Sequence, residues 1–371
     1  MTVMIVLVTL SGEIGIKSPR SRSNFEHALI QNIKNVINVE RASIDQGYII
    51  LNVEGDYSKL SKVFGIASYS PVDVIFFSKL EEIVEYTKKK YAEAVKGKKF
   101  AVRVRRVGNH NFTSIDVAKA VGSALYPYSA GVDLENPEVS IYINIRQDHA
   151  YIYDKVFEGP KGLPIGVAGR TVVLFSGGFD SPVATWMMMK RGTSVTLLNF
   201  KLGGDLHKKI VTEEAKILSE WNSGHKMKIY FVDGIKVLTA LANVNKYIRV
   251  VVLKRIMYKT AQLLAKEIKA YSVTTGESLS QVSSQTMKNL FVTEYNVNIP
   301  IFRPLIGFDK DEIIELSRKI GTYELSSKMP EYCVISSKST TAANLDEVLK
   351  AEEQANIDYK KLIEEAEVIE I

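Results

Sequence analysis

The six residues SGGFDS, 176–181, constrain the fold more than any other stretch of this 371-residue chain. They follow an apolar run, Thr171–Phe175, and precede a helical pattern that starts at Pro182, and proline is favoured in the first turn of a helix. Two adjacent glycines let the backbone turn tightly and bring its N–H groups close to an anion. A strand, a glycine-rich loop and a helix in this order indicate an α/β fold.

The residues around this loop repeat the same alternation of strand and helix. The strand patterns are Thr171–Phe175, Ser194–Phe200, Lys228–Val232 and Tyr271–Thr275, and the helical patterns are Pro182–Lys190, Val211–Glu220, Tyr247–Ile268 and Asp309–Lys319. Such a series predicts a doubly wound parallel sheet with helices on both faces, whose ligands bind at the carboxyl ends of the strands.

The first 160 residues read as smaller α+β units. Strands are expected at Val3–Leu10 and Tyr48–Val53, and Ser23 with Glu26 resembles a capping box at a helix start. A glycine- and proline-rich stretch, 157–170, has the composition of a linker. We therefore expect a multidomain α/β and α+β chain with domains at 1–57, 58–160 and 161–371, the last ending in an acidic helix.

Charge is distributed unevenly along the chain. The net charge is +6, but residues 343–371 hold nine acidic and three basic side chains, so residues 1–342 carry +12. A basic body favours a nucleic-acid partner. Apolar residues make up 46% without a run long enough to cross a membrane, and the N-terminus lacks the features of a signal peptide.

The loop residues suit a phosphate ligand. Ser176 and Ser181 can donate hydroxyl hydrogen bonds, Gly177 and Gly178 expose backbone N–H groups, and Asp180 suits Mg²⁺ or its water. A ligand-free turn is the alternative interpretation. Neither a G-x-x-x-x-G-K-[ST] nor a G-x-G-x-x-G motif is present, which weighs against Walker-type and dinucleotide sites. SGGFDS resembles the loop of pyrophosphatase-type ATP enzymes, which adenylate a substrate and release pyrophosphate.

A basic strand marks the first half. KGKKFAVRVRR, 96–106, has six basic residues in eleven, and its alternation puts arginines on one face. The plain alternative is a solvated sheet edge guarded by charge. RVRRVGNHNFTSIDVA resembles the THUMP RNA-binding domain, and GEIGIKSPRSRSNFEHAL, from Gly12, resembles the ferredoxin-like domain that precedes it in tRNA 4-thiouridine synthetases. The residues expected to bind RNA are Lys98, Lys99, Arg103, Arg105, Arg106, Asn109 and His110.

The single cysteine, Cys333, lies in SSKMPEYCVISSKST. A lone cysteine is by default an inert buried residue, but this one stands in a polar loop with lysines nearby in sequence, which favour a thiolate. One cysteine excludes an intramolecular disulfide and fits a reducing, cytoplasmic compartment. The five histidines show no metal-ligand spacing, so no protein metal site is expected.

Taken together, RPLIGFDKDEII, IGTYE, PEYCVIS and TTGESLSQVSSQTMKNL resemble tRNA 4-thiouridine synthetases over residues 1 to about 340. The resemblance implies ATP with Mg²⁺, a tRNA substrate thiolated at uridine 8, an external sulfur donor (a persulfide protein or sulfide), no membrane, and a homodimer. It also implies catalytic roles for Asp180, Cys333 and Lys310. The implied ATP-binding residues are Leu174, Phe175, Ser176, Gly177, Gly178, Ser181, Asn199, Phe200, Lys254, Gly276 and Gln285.

Two departures from the family leave alternatives open. Val334 follows Cys333 where relatives have glycine, and the chain resembles the form that lacks a rhodanese domain and its second cysteine. Sulfur supply for the thiazole of thiamine is therefore a secondary role at most. A small-acid adenylating and amidating enzyme, and a non-catalytic tRNA-binding protein with a relic nucleotide site, remain the competing interpretations. A methyltransferase is disfavoured, since SGGFDS stands where a methyl-donor loop would be needed.

Overall fold

The computed structural model describes residues 3–45, 47–329 and 339–371. The chain forms two compact units. Unit 1 consists of Met1–Gly15, Ile37–Ser61 and Ile66–Gly159, and unit 2 consists of Ile16–Val36, Lys62–Gly65 and Pro160–Ile371. In the parts of the chain that the structure describes, no helix has both the length and the apolar character needed to cross a membrane.

Unit 1 holds two five-stranded sheets. The first is antiparallel in the order β10-β4-β1-β3-β2, and its strands are β1 (Val3–Leu10), β2 (Val39–Asp45), β3 (Tyr48–Glu54), β4 (Ile66–Pro71) and β10 (Phe157–Glu158). Val6, Leu7 and Val8 of β1 are all buried, so the middle of this strand is covered on both of its faces. The short helix α1 (Gly12–Gly15) follows β1.

The second sheet is mixed, in the order β5-β9-β8-β6-β7. Its strands are β5 (Asp73–Phe76), β6 (Lys99–Arg106), β7 (Gly131–Val132), β8 (Val139–Ile145) and β9 (His149–Tyr153). Strands β8 and β9 form an antiparallel hairpin. The helices α3 (Leu80–Tyr91) and α4 (Ser114–Leu125) cover one face and share a core with it that includes Phe100, Val117 and Ile143.

Unit 2 is built on the expected parallel sheet. The order is β15-β14-β11-β12-β13-β16, with strands β11 (Arg170–Leu174), β12 (Ser194–Phe200), β13 (Lys228–Val232), β14 (Ser272–Thr274), β15 (Ile301–Phe302) and β16 (Glu367–Glu370). All pairs are parallel except β13 with β16. The middle strands are apolar on both faces, which is the pattern of a sheet covered on both sides.

Helices pack on both faces of this sheet, as the alternation predicts. The helices of unit 2 are α2 (Pro19–Lys34), α5 (Asp180–Lys190), α6 (Gly204–Ser219), α7 (Gly234–Ala240), α8 (Arg249–Glu267), α9 (Met287–Glu294), α10 (Lys310–Ile320), α11 (Tyr323–Ser326), α12 (Leu345–Ala355) and α13 (Tyr359–Glu364). Val172 and Leu198 enter the core with α7, α8 and α12, whereas the neighbouring Val173 and Leu197 enter the core with α5, α6 and α10. The doubly wound fold class is thus confirmed.

Two local expectations need correction. The helix expected to start at Ser23 begins at Pro19, because proline fits the first turn; Ser23 and Glu26 therefore lie inside α2. The acidic C-terminus is two short helices and an edge strand rather than one helix.

The domain limits 1–57, 58–160 and 161–371 stay a proposal. Hydrogen bonding places Ile66–Pro71 and Phe157–Glu158 in the first sheet, beyond residue 57. The helix Pro19–Lys34 is grouped with unit 2, where Asn32 Nδ2 donates to the carbonyl oxygen of Ile165.

Candidate active site

The SGGFDS loop lies where the strand order of the sheet reverses. From β11 the chain proceeds to β12 and β13 on one side, then crosses back to β14 and β15 on the other. The loop follows β11, and the TGES turn, 275–278, follows the adjacent strand β14. Open parallel sheets bind ligands at the carboxyl ends of the two strands that flank such a reversal. Both sequence motifs therefore meet at the position where a ligand is expected.

Hydroxyl groups hold the loop in a curled conformation. The Ser181 Oγ accepts hydrogen bonds from the backbone N–H groups of Ser176 at 3.0 Å and Gly177 at 3.3 Å. The Ser176 Oγ lies 3.2 Å from the Ser181 Oγ and accepts from the Gly178 N–H at 3.4 Å. Backbone N–H groups converge on the start of α5, whose N-terminus carries partial positive charge, and this arrangement suits an anion.

Two glycines permit close approaches that a side chain would block. Gly177 has φ +84°, and a Cβ there would collide with Met329 and lie 2.8 Å from Val211 Cγ2. A Cβ on Gly276 would lie 2.7 Å from the carbonyl carbon of Asp180. The TGES turn thus packs directly on the backbone at the start of α5. The structure brings Gly276 together with Asp180 and Ser181, as a shared site requires.

Asp180 and Lys310 form an ion pair at the mouth of the loop. The Lys310 Nζ is 2.8 Å from Asp180 Oδ1, and Gln281 Nε2 donates to Asp180 Oδ2 at 3.1 Å. Lys310 is the first residue of α10, which Asp309 caps together with Glu312. Its ammonium group also lies 5.2 Å from the centre of the Phe179 ring. Lys310 is therefore positioned beside the loop by contacts on two sides.

Most of the residues expected to contact the nucleotide use their side chains to pack the core or to hold the backbone, not to face a ligand. Phe175 and Phe200 are buried in the two cores of the sheet, so their aromatic rings do not face a ligand. Asn199 Nδ2 donates to the Phe175 carbonyl at 2.7 Å, and His207 Nε2 lies 2.9 Å from the Ser176 carbonyl oxygen. These bonds fix the end of the strand before the loop. Leu174 is half-buried against the core.

Two of these residues keep a buried acceptor that a ligand can use. Asn199 Oδ1 and Gln285 Oε1 have no hydrogen-bond partner in the described ranges. Buried polar atoms are normally paired, so each such oxygen suits a donor supplied by a bound molecule. An adenine amino group and ribose hydroxyls are donors of that kind. Gln285 lies in the 3-10 helix Ser283–Gln285.

A buried charge cluster supports the TGES turn. Lys254, expected in the nucleotide pocket, is 2.7 Å from Glu277 Oε1. Glu277 Oε2 accepts hydrogen bonds from Arg303 Nε at 3.0 Å, Thr275 Oγ1 at 3.0 Å and the Tyr258 hydroxyl. Burial would raise the pKa of Glu277, but the charges of Lys254 and Arg303 and the hydrogen bonds lower it to about 2.

This cluster was missed by the sequence reasoning, apart from Lys254. Glu277 stands next to Gly276, and an acidic residue inside the apolar, small-residue stretch after β14 was the available signal. Arg303 begins the RPLIGFDKDEII motif, but nothing in the sequence pairs it with Glu277. Lys254 forms an ion pair with Glu277, so it contributes to the site by supporting the TGES turn.

The described residues hold no group of three or more His, Cys, Asp and Glu side chains arranged for a metal ion. Mg²⁺ needs few protein ligands when a nucleotide supplies phosphate oxygens. Asp180 is one carboxylate at the loop, and its oxygens are engaged by Lys310 and Gln281. The site therefore fits Mg²⁺ brought in by a nucleotide and does not offer a cage made by these residues alone.

Cys333 lies outside the described residues. The described residues on both sides of the gap are anchored near the site. Met329 packs on Gly177 of the loop. After the gap, Thr340 O and the Ala343 N–H bond to the side chain of Asn289.

The expected RNA-binding residues lie on β6 of unit 1 and in the segments directly before and after it. Lys98, Lys99, Arg103, Arg105 and Asn109 are exposed. Arg106 donates to the Gly108 carbonyl at 2.8 Å, and His110 bonds to the carbonyls of Arg146 and Gln147 while stacking on Phe112. Those last two side chains hold the turn in shape, so an RNA-binding role rests more on the exposed members of the set.

Between the two sheets of unit 1 lies a cavity of about 480 Å³ with a polar, aromatic lining. Arg103 and Arg105 line it, together with Tyr48, Tyr142 and Tyr153. The rings of Tyr142 and Tyr153 stack with centres 5.2 Å apart, and Arg105 donates to the Tyr48 hydroxyl at 3.5 Å. Arginines and aromatic rings at one opening match the groups that hold unstacked nucleotides.

Three family models match this chain: the ThiI ferredoxin-like domain at residues 5–70, the THUMP domain at 77–154, and the thiamine biosynthesis protein ThiI at 166–357. Among curated proteins, a probable tRNA sulfurtransferase of Sulfurisphaera tokodaii is 79% identical over 99% of this chain and 100% of its own length. Those of Saccharolobus islandicus and Saccharolobus solfataricus are 59% and 58% identical over the same shares.

Two solved structures share the fold. A 4-thiouridine synthetase–RNA complex with bound ATP is 27% identical and has a TM-score of 0.88, with 100% of both chains covered. PH1313 from Pyrococcus horikoshii, at 24% identity and a TM-score of 0.67, covers 86% of this chain and 99% of its own. On these grounds, and with all three family domains in order, the chain belongs to the ThiI family of tRNA sulfurtransferases.

Proposed function

We propose that this protein is an ATP-dependent tRNA 4-thiouridine synthetase. The observation that carries the proposal is the curled SGGFDS loop at the strand reversal, with its N–H groups converging on the start of α5 and Lys310 paired to Asp180. The similar solved protein was crystallised with both RNA and ATP, and it aligns over the whole of this chain. Nucleotide at the loop and RNA on unit 1 account for both halves of the molecule.

The first chemical step is adenylation of the base. The O4 atom of a uridine, which family resemblance places at position 8 of tRNA, bonds to the α-phosphorus of ATP while the bond to the bridging α–β oxygen breaks. Pyrophosphate leaves with that oxygen. In our proposal, the loop N–H groups and Lys310 bind the departing pyrophosphate, and preorganised donors of this kind stabilise charge as it develops. Mg²⁺, bound through phosphate oxygens beside Asp180, would supply further positive charge.

The second step replaces oxygen by sulfur. A sulfur nucleophile bonds to C4, and the C4–O4 bond breaks with its electron pair leaving on AMP. If sulfide is the donor, the product forms directly. If Cys333 carries the sulfur as a persulfide, the C–S–S–Cys adduct must be cleaved by an external thiol, because the chain has no second cysteine. We propose an external persulfide protein or sulfide as donor.

We propose that RNA is held by the exposed basic strand and the cavity of unit 1. Lys98, Lys99 and Arg103 offer phosphate contacts, which depend on salt. Arg105 and the stacked tyrosines offer contacts to unpaired bases. We also propose a cytoplasmic location, which the tRNA substrate supports, and a homodimer, which the family resemblance implies. The name of the matched family model also suggests sulfur transfer in thiamine biosynthesis as a second role.

A thiolation assay tests the proposal. Unmodified tRNA, Mg²⁺ and sulfide are incubated with the protein, with ATP present or omitted, and 4-thiouridine is measured by its absorbance or by mass spectrometry. We expect product only when ATP is present. Cys333→Ser should abolish product with a persulfide donor and retain it with sulfide if the cysteine is only a carrier.

Two outcomes would contradict the proposal. If tRNA binds but no thiouridine forms with either donor, the protein is better described as a tRNA-binding protein with a relic nucleotide site. If tRNA does not bind while ATP is consumed with a small carboxylic acid, the small-acid adenylating enzyme replaces it.

A further inference from the structure

A carboxyl group behind the phosphate loop has no part in the chemistry described above. Glu214, on α6, is fully buried. Its Oε1 accepts a hydrogen bond from Ser326 Oγ at 2.7 Å. Its Oε2 is also buried and has no hydrogen-bond partner among the residues that the structure describes. A buried carboxyl oxygen left in this state calls for an explanation, because such atoms are normally paired.

Helix α6 touches the loop through three residues on one face. His207 Nε2 lies 2.9 Å from the carbonyl oxygen of Ser176. A Cβ built on Gly177 would lie 2.8 Å from Val211 Cγ2 and 3.4 Å from Glu214 Oε2. Positions spaced by four and three residues share a face of a helix, so α6 supports the loop along its length. The free oxygen of Glu214 is the atom that faces Gly177.

The opposite side of Glu214 faces the chain that leads towards Cys333. Ser326, which donates to Glu214, ends α11, and Met329 three residues later packs on Gly177. Glu214 therefore contacts both the phosphate loop and the segment Ser326–Met329. Glu214 thus connects the loop expected to bind pyrophosphate with the described residues that precede Cys333 in sequence.

The surroundings of Glu214 offer no compensating charge. On the face of α6 that carries Glu214, the nearest titratable side chain is His207. At the phosphate loop, the titratable groups are Asp180 and Lys310, which are paired with each other. In the segment after α10, Glu324 and Lys328 flank Ser326 in sequence. None of these groups forms an ion pair or hydrogen bond with Glu214 in the described structure. Burial raises the pKa of Glu214 to about 9, against the opposing effect of the Ser326 hydrogen bond, so the side chain carries a proton at neutral pH.

We infer that Glu214 is a positioning residue that, as a neutral acid, joins the phosphate loop to the Ser326–Met329 segment. An ionised carboxylate at this position would put an unpaired negative charge against a loop that must bind pyrophosphate. The neutral acid fills the same volume, accepts the Ser326 hydroxyl and leaves the anion site without that repulsion. The inference rests on the proposed function, since it requires a nucleotide phosphate at Gly177.

The test is ATP affinity as a function of pH in the full-length protein. ATP·Mg²⁺ binding is measured by equilibrium dialysis from pH 7 to pH 10 for the wild type, Glu214→Gln and Glu213→Gln. Glu213 is the adjacent, solvent-accessible control, paired with Lys216. We expect Glu214→Gln to match the wild type at pH 7. By pH 10, one pH unit above the pKa, the wild type and Glu213→Gln should lose about tenfold more affinity than Glu214→Gln.

Parallel loss of affinity in all three proteins would overturn the inference, as would a folded Glu214→Gln protein that no longer binds ATP at pH 7. Failure of the wild type to bind ATP at pH 7 would overturn the proposed function as well. A second variant tests the connection itself. Ser326→Ala should lower kcat for thiolation about fivefold with the KM for ATP unchanged, whereas Ser327→Ala should change neither. An unchanged kcat in Ser326→Ala would also contradict the inference.

Discussion

Replacing Lys310 with methionine should lower kcat for ATP-dependent thiolation about 10²- to 10³-fold, because one preorganised positive donor beside the leaving pyrophosphate is removed. The ammonium group is fixed by Asp180 at 2.8 Å and by the Phe179 ring. The measurement is single-turnover formation of thiouridine at saturating ATP. Lys319→Met is the control, since Lys319 is exposed on the same helix. A loss smaller than about threefold in Lys310→Met would show that the lysine has no such role.

Asp180 should act partly through Lys310, and a double-mutant cycle shows how far. Asp180→Asn leaves the Lys310 ammonium without its carboxylate partner, so it should also reduce kcat strongly. If the two residues work as a unit, their effects on kcat are not additive. The kcat of the double variant should then be only slightly lower than that of the less active single variant. Additive losses would instead indicate that Asp180 acts independently, for example through Mg²⁺.

The second large effect concerns stability. Glu277→Gln should lower the free energy of unfolding by about 3–5 kcal/mol, because Lys254 and Arg303 lose the buried carboxylate that they share. Urea unfolding at pH 7 measures this loss. Glu294→Gln removes the other carboxylate bound to Arg303. Because the Glu294 side chain is 42% exposed, this variant should lose less than about 1 kcal/mol of unfolding free energy. Equal losses in the two variants would contradict the central role of Glu277.

The same group makes stability depend on pH. The folded-state pKa of Glu277 is lowered to about 2 from an ordinary 4.5. A lowered pKa means that the stabilisation is fully present above pH 4.5 and is lost as pH falls towards 2. The wild type should therefore lose up to about 3 kcal/mol more than Glu277→Gln between these values. Parallel acid unfolding of the two proteins would rule this contribution out.

Much of unit 2 follows from local sequence. Ser194–Phe200 and Lys228–Val232 are strands at the residues that their apolar runs predict, because a strand buried on both faces leaves a continuous apolar signal. The SGGFDS loop before Pro182 was predicted equally well from the sequence. The start of α2 was not, since Ser23 and Glu26 satisfy a capping pattern that Pro19 overrides. The edge strand Glu367–Glu370 was missed because two of its four residues are acidic.

The parts of the site formed by residues close together in sequence could be predicted. The parts formed by residues far apart in sequence could not. SGGFDS identifies the phosphate loop because its neighbours in sequence are its partners in space. The pair Asp180–Lys310 joins residues 130 positions apart, and it was expected only as two separate roles. Glu277, Arg303 and Glu214 owe their properties to burial, which depends on the packed fold. For Arg303 and Glu214, no local pattern distinguishes them from surface charges.

The most direct test of the central claim is the identity of the products made from ATP. With unmodified tRNA, Mg²⁺ and sulfide, α- and γ-labelled ATP are followed by chromatography alongside thiouridine formation. We expect AMP and pyrophosphate, each in one-to-one ratio with 4-thiouridine and dependent on tRNA. Formation of ADP and phosphate, or thiouridine without any cleavage of ATP, would contradict the adenylation chemistry assigned to the SGGFDS loop.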